Sequence, residues 1–225
     1  MASLAGSDLF LLGLASGITL LTITSYRRVS PPWLRRLLML SGFFVMSRYL
    51  AMALLTSSDA PQRFWSLRFC WYATTIGLML PSVFAVDQLL RHPAMSPKRL
   101  LRWCAPFLTV YSAVMVFGAA APMPDRVAGR APHLSAGWQA ILSIVQGVFV
   151  VGFVGLCVRF MRKIPPGRLR VALGGLVLGQ FGLGCDGLLL TMGGWYFRPF
   201  LYTEMAMLLA LWFAYETSAT LQQSG

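Results

Sequence analysis

Charge is scarce in this chain: only 12% of its 225 residues are charged, 57% are hydrophobic, and the mean hydropathy is +0.66. A soluble domain carries about 25% charged residues, so the composition excludes an ordinary globular core and predicts an integral membrane protein. Lysine occurs only at Lys98 and Lys163, both between apolar runs. A Schiff base of the retinal kind therefore finds no amine inside a helix. Histidine is as rare, and His92 and His133 fall in loops on opposite sides of the expected bundle. Haem ligation by histidine, a histidine-rich metal site and a Ser–His dyad all lack the interior imidazole they need. The four cysteines, Cys70, Cys104, Cys157 and Cys185, form no CxxC pair, so neither a zinc site nor a disulfide framework is legible. Cys70 and Cys185 share a depth that would suit a disulfide, although buried cysteine serves more often as a small apolar residue. No GxSxG, Walker loop or paired-carboxylate motif is present. The expectation is a protein that is not an enzyme and uses no cofactor or metal.

What the chain does have is length in its apolar runs. Seven can be counted, each near the ~20 residues that cross a bilayer as a helix. They are Leu9–Tyr26, Leu37–Thr56, Phe64–Leu90, Leu101–Ala121, Trp138–Val158, Val171–Met192 and Phe200–Thr217. The fold class expected is an all-α integral membrane protein, a seven-transmembrane helix bundle forming one domain over residues 1–225. The N-terminus lacks the basic region and cleavage site of a signal peptide, so the first run reads as a retained helix. The longest loop, Pro122–Gly137, is rich in Pro and Gly and shows no periodic pattern.

Lys and Arg are distributed unevenly between alternate loops. Thirteen lie in the loops after the first, third and fifth runs, among them Arg27, Arg28, Arg91, Lys98, Arg162 and Lys163. The other loops hold Arg63, Arg126, Arg130 and Arg198, beside Asp59 and Asp125. The positive-inside rule then predicts the N-terminus outside and the C-terminus in the cytoplasm. The net charge of +12 is chiefly this topological signal. No basic face separates from it to suggest a nucleic-acid partner; anionic lipid headgroups are the natural contact. Trp65, Trp71, Tyr72, Trp138 and Trp195 stand where interfacial anchors belong.

Four charges fall inside the runs: Arg48, Arg68, Asp186 and Glu204. Counted from the helix ends, all four fall in the outer half of the bilayer, Arg48 at roughly 12 Å depth for ~1.5 Å of rise per residue. An unpaired charge at mid-membrane costs roughly 2.5–3.5 kcal/mol on the insertion scale, so two cations and two anions at similar depth are expected to pair. The pairing expected sets Arg48 and Arg68 against Asp186 and Glu204 around an outward-open polar pocket, with Gln146 and Tyr202 as further liners. Gly175, Gly179, Gly182 and Asp186 share one helix stripe, and small residues on a stripe let a neighbouring helix approach closely. Three readings stand side by side: a ligand- or signal-sensing pocket; a structural arrangement in which Arg48–Asp186 is one ion pair that locks two helices while Arg68 and Glu204 reach headgroups; and a path for proton or ion translocation. Gln180 is expected to make an interhelical hydrogen bond, and Asp87 a solvated salt bridge with Arg91.

The segment FWSLRFCWYATTIGLMLPSVFAVDQLLRHP, from Phe64, leads into a basic stretch and a new apolar helix. It resembles the bacterial seven-transmembrane sensor region found N-terminal to histidine kinases, with Pro81, Phe84 and Asp87 at the matching places. A basic Pro-containing loop (Arg162–Arg170), a Gly-rich sixth run and Pro199 before the seventh agree in outline. The resemblance implies a sensor or receptor in the bacterial inner membrane that passes a signal to a cytoplasmic or membrane protein partner; it does not identify the ligand. In such sensors the seventh helix continues into output domains, whereas this sequence ends at Gly225, so a free-standing member, a fragment and a different small polytopic protein all stay open. The rival functions are an accessory subunit of a larger membrane complex and a small solute transporter.

Overall fold

The computed structural model describes residues 6–56, 61–90, 96–125, 129–191 and 201–223, and these are built almost wholly of helices. In chain order they are α1 (Gly6–Ser25), a short 3-10 turn (Tyr26–Arg28), α2 (Pro32–Thr56), α3 (Pro61–Trp71), α4 (Thr74–Leu90) and α5 (Pro97–Phe117). A hairpin of β1 (Ala120–Asp125) and β2 (Gly129–Leu134) follows, then α6 (Ala136–Met161), α7 (Arg168–Thr191) and α8 (Leu201–Gln223). Proline opens α2, α3 and α5, where its missing N–H costs nothing and its fixed φ suits the first turn. Ser96 caps α5 by accepting from the Arg99 N–H at 3.3 Å.

Six helical stretches are long and apolar enough to cross a membrane: Leu9–Arg28, Pro32–Leu55, Ser66–Leu90, Pro97–Phe117, Ala136–Met161 and Arg168–Leu189. The chain thus has the make-up of a multi-pass membrane protein. At 23 residues α8 has the length, but Glu204, Glu216 and the polar end Thr217-Ser218 leave it less apolar than the six. It is nonetheless an inner helix, packed on α1, α7 and α4. Its buried face includes Leu201, Met207, Leu208, Leu211, Ala214 and Tyr215. α2 lies against α4, α3 and α1, while α6 packs on α7 and α5 and touches α4 only lightly. Along α6, Ile144, Val148 and Val151 are exposed, as a face toward acyl chains would be.

Two local features differ from the sequence reading. The run Phe64–Leu90 is not one continuous helix: it breaks at Tyr72–Ala73, where bonds tighten to Ala73 N–H→Cys70 O (3.2 Å) and Thr75 N–H→Tyr72 O (3.1 Å). Such i→i+3 bonds leave some carbonyls of the preceding turn without their i+4 partner. The segment expected to be an irregular loop holds the β1–β2 hairpin, antiparallel with Ala120 opposite Leu134 and Asp125 opposite Gly129. The hairpin lies on α3 and is tied to the helix break, with the Tyr72 hydroxyl donating to the Pro132 carbonyl at 3.0 Å.

Candidate functional site

Arg48 and Glu204 meet. The Nε of Arg48, on α2, lies 3.1 Å from Oε1 of Glu204, on α8, and the two residues are only 4% and 1% exposed. The break after α3 supplies the next partner, since Arg48 Nη1 donates to the Trp71 carbonyl at 2.8 Å. The Trp71 ring lies 5.0 Å from the guanidinium carbon, a cation–π contact. Tyr49 and Thr74 stand beside the Glu204 carboxylate. Within the membrane an ion pair needs such company, because withdrawing each charge from water costs more than the pair alone returns.

The acid that Arg48 takes is therefore Glu204, not Asp186. Asp186 accepts a hydrogen bond from the Thr203 hydroxyl of α8. The glycine stripe explains why: a Cβ on Gly175 would lie 3.5 Å from Ala210, one on Gly179 would lie 3.1 Å from the Met207 Cα, and one on Gly182 would lie 3.5 Å from Thr203. That stripe faces α8 along its length, and Asp186 continues it. The neighbouring Gly184 and Gly187 face α6, at Val150 and Gln146.

Arg68 is 1% exposed and does not reach headgroups. Its Nη1 donates to Gly118 O and its Nη2 to Val116 O at 3.3 Å, so it binds the end of α5. A cation there satisfies carbonyls that have no intrahelical partner and complements the negative end of the helix dipole. Asp87 is buried instead of solvated, and Arg91 lies outside the described residues. Gln180 donates to Ser82 Oγ at 3.0 Å, joining α7 to α4. Just beside that contact Pro81 sits inside α4, and its carbonyl accepts from the Tyr215 hydroxyl of α8 at 2.9 Å. All four cysteines are free, and among the described residues no three His, Cys, Asp or Glu side chains cluster as a metal would require.

Arg48 and Glu204 form part of the wall of a cavity of about 570 Å³ between α4, α5, α6 and α7. This is within the usual range for small-molecule sites. Most of its surface is apolar, from residues such as Met79, Phe149, Val154 and Leu183, so the polar pocket expected is an apolar one with a few polar groups. Gln146 lines it and donates to Thr75 Oγ1 at 2.8 Å. Tyr202 is 49% exposed and does not line it, and Arg68 and Asp186 lie outside its wall. Gln139, Ser143 and Gln146 all line it, and were legible as a group: spaced four and three, they form one polar stripe on an otherwise apolar helix. Trp71, read as an interfacial anchor, is part of the wall.

Neither a protein-family model nor a curated protein matches the chain. What the fold and the composition define is a class: a helical membrane protein with several candidate spans and a cavity between its helices beside a buried ion pair.

Proposed function

We propose that the chain is a seven-span, sensor-like membrane protein, N-terminus outside and C-terminus in the cytoplasm, in which α8 is the seventh span. In this reading the cavity receives a ligand within the outer half of the bundle, and α8 carries the consequence to the cytoplasmic side. The observation that carries the proposal is the position of Glu204. It stands on the cavity wall, paired with α2, while the same helix ends near the Arg28–Glu216 ion pair at 2.7 Å, which joins α8 to the end of α1. A change at the wall thus acts on an element that spans the bundle, and ligand recognition in the bilayer needs only a differential affinity for two arrangements of that element. A bacterial inner-membrane location and a protein partner that reads the cytoplasmic end belong to the same proposal.

Single-cysteine labelling at position 186, in a cysteine-free background and sealed vesicles, tests it. A sensor is reached from the outer side alone under every condition. Access from both sides, alternating with conditions, would instead mark a transporter. Thermal melting of the chain alone in nanodiscs addresses the remaining rival: cooperative melting fits a self-standing sensor, while aggregation unless co-purified with other subunits fits an accessory role.

A further inference from the structure

The cavity wall also constrains what occupies it, an inference that rests on reading the cavity as a binding site. A cavity of about 570 Å³ is costly to leave empty, because the contacts its lining forgoes grow with its volume. Water fills such a space only where each molecule finds several polar partners, and the polar groups of this wall are mostly engaged with one another. Arg48 pairs with Glu204, whose carboxylate also accepts from the Tyr49 and Thr74 side chains. Gln146 donates to Thr75 Oγ1 and Gln180 to Ser82 Oγ. The Ser143 hydroxyl has no partner among the described residues. One such group is too few to hold a cluster of water or to match a polar ligand. The wall therefore calls for hydrocarbon.

The cavity also opens sideways. Val151 of α6 and Phe181 and Leu188 of α7 line it and yet are 74%, 58% and 60% exposed, so it reaches the outer surface where these two packed helices meet. Little side chain stands in that seam. A Cβ on Gly147 would meet nothing within 4 Å, and one on Gly187 nothing nearer than Gln146 Oε1 at 3.8 Å. Of the six candidate spans, α6 is the most apolar and the least buried, so the opening lies on a face given to acyl chains.

We propose that the cavity is a lateral hydrocarbon site: one acyl chain of a bilayer phospholipid enters between α6 and α7 and lies against Met79 of α4 and Phe149 of α6, while its headgroup stays at the membrane surface.

The test uses the full chain in phosphatidylcholine nanodiscs containing a phosphatidylcholine with a mid-chain diazirine, labelled residues being located by mass spectrometry. Lipid that only surrounds the bundle labels outward residues such as Ile144 and Val148. Leu78 and Met79 line the cavity but are buried, so only a chain inside it reaches them. Labelling of Leu78 and Met79 is expected in the unaltered chain. It should fall at least about tenfold in Gly187→Phe, whose ring excludes the chain, while Ile144 and Val148 stay labelled. Ser143→Ala should change it by less than about twofold, since a hydrocarbon chain makes no hydrogen bond to that hydroxyl. A parallel sample receives a small apolar probe, 3-trifluoromethyl-3-phenyldiazirine. Labelling of Leu78 and Met79 by the small probe but not by the lipid would overturn the acyl-chain occupant and leave the cavity a binding site. Lipid labelling there that survives Gly187→Phe, or is lost in Ser143→Ala, would also overturn that occupant. Labelling by neither probe would overturn the binding site as well; this comparison is made on the unaltered chain and does not depend on how any variant folds.

Discussion

Glu204 of α8 lies 3.1 Å from Arg48 of α2, while Asp186, on the neighbouring α7, accepts from Thr203. Counted from the ends of their apolar runs the two acids are expected at similar depth, so that count could not decide the pairing; the helix face did. Asp186 continues a stripe whose glycines are pressed against Ala210, Met207 and Thr203, and that stripe turns it toward α8 instead of α2.

Removing one member of the buried pair should be severe. Arg48→Ala or Glu204→Ala leaves an uncompensated charge, and each is expected to cost about 3–5 kcal/mol in unfolding measured in lipid. The double replacement Arg48→Met with Glu204→Leu should recover most of that loss. Exchanging Arg48 with Asp186 should give two additive defects, because those two side chains are not partners; restoration by that exchange would contradict the assignment.

The glycine stripe makes a positional prediction. At Gly179 a Cβ would stand 2.5 Å from Met207 Sδ and 3.1 Å from the Met207 Cα, whereas at Gly174 its nearest neighbour is the flexible end of Met161 at 3.5 Å. Gly179→Leu should therefore lower stability by about 1–3 kcal/mol through overpacking, and Gly174→Leu by clearly less. Parallel melting curves of the two variants decide it.

Arg68 should behave as a helix cap. Arg68→Leu strips the donor from the Gly118 and Val116 carbonyls, each buried acceptor costing about 1–3 kcal/mol when left unmade. Arg68→Lys should rescue only in part, because an ammonium lacks the fork that reaches both carbonyls. Hydrogen exchange at the end of α5 should rise in both variants, most in the leucine one.

Tyr72→Phe removes the hydroxyl that ties the hairpin to the break after α3, a loss of about 0.5–1.5 kcal/mol. Hydrogen exchange should quicken in β2 around Leu134 and leave α7 and α8 unchanged.

Much of the helical frame could be read from apolar runs alone, because a lipid-facing surface imposes length and composition together. The buried charges announced themselves for the same reason. What the runs do not carry is azimuth: Tyr202 follows Leu201 and precedes Thr203, yet it points outward while Glu204, two places on, is buried. The break at Tyr72–Ala73 has no Gly or Pro to mark it, and the carbonyl it offers Arg48 was invisible in consequence. Strands of AAPMPD and GRAPHL have poor β propensity and several prolines, so only the support of α3 beneath them reveals a hairpin.

The claim that the cavity governs α8 is tested most directly by filling it and measuring α8. Gly187→Phe and, from α6, Ser143→Phe, at a side chain buried on the wall, both place a ring in the cavity. Spin labels at the exposed positions Arg36 on α2 and Thr220 on α8, in a cysteine-free background in nanodiscs, report the distance between the two helix ends. The account predicts that both filled variants shift that distance distribution in the same direction relative to the unfilled chain. Distributions that coincide in all three, with the folds intact, would contradict it.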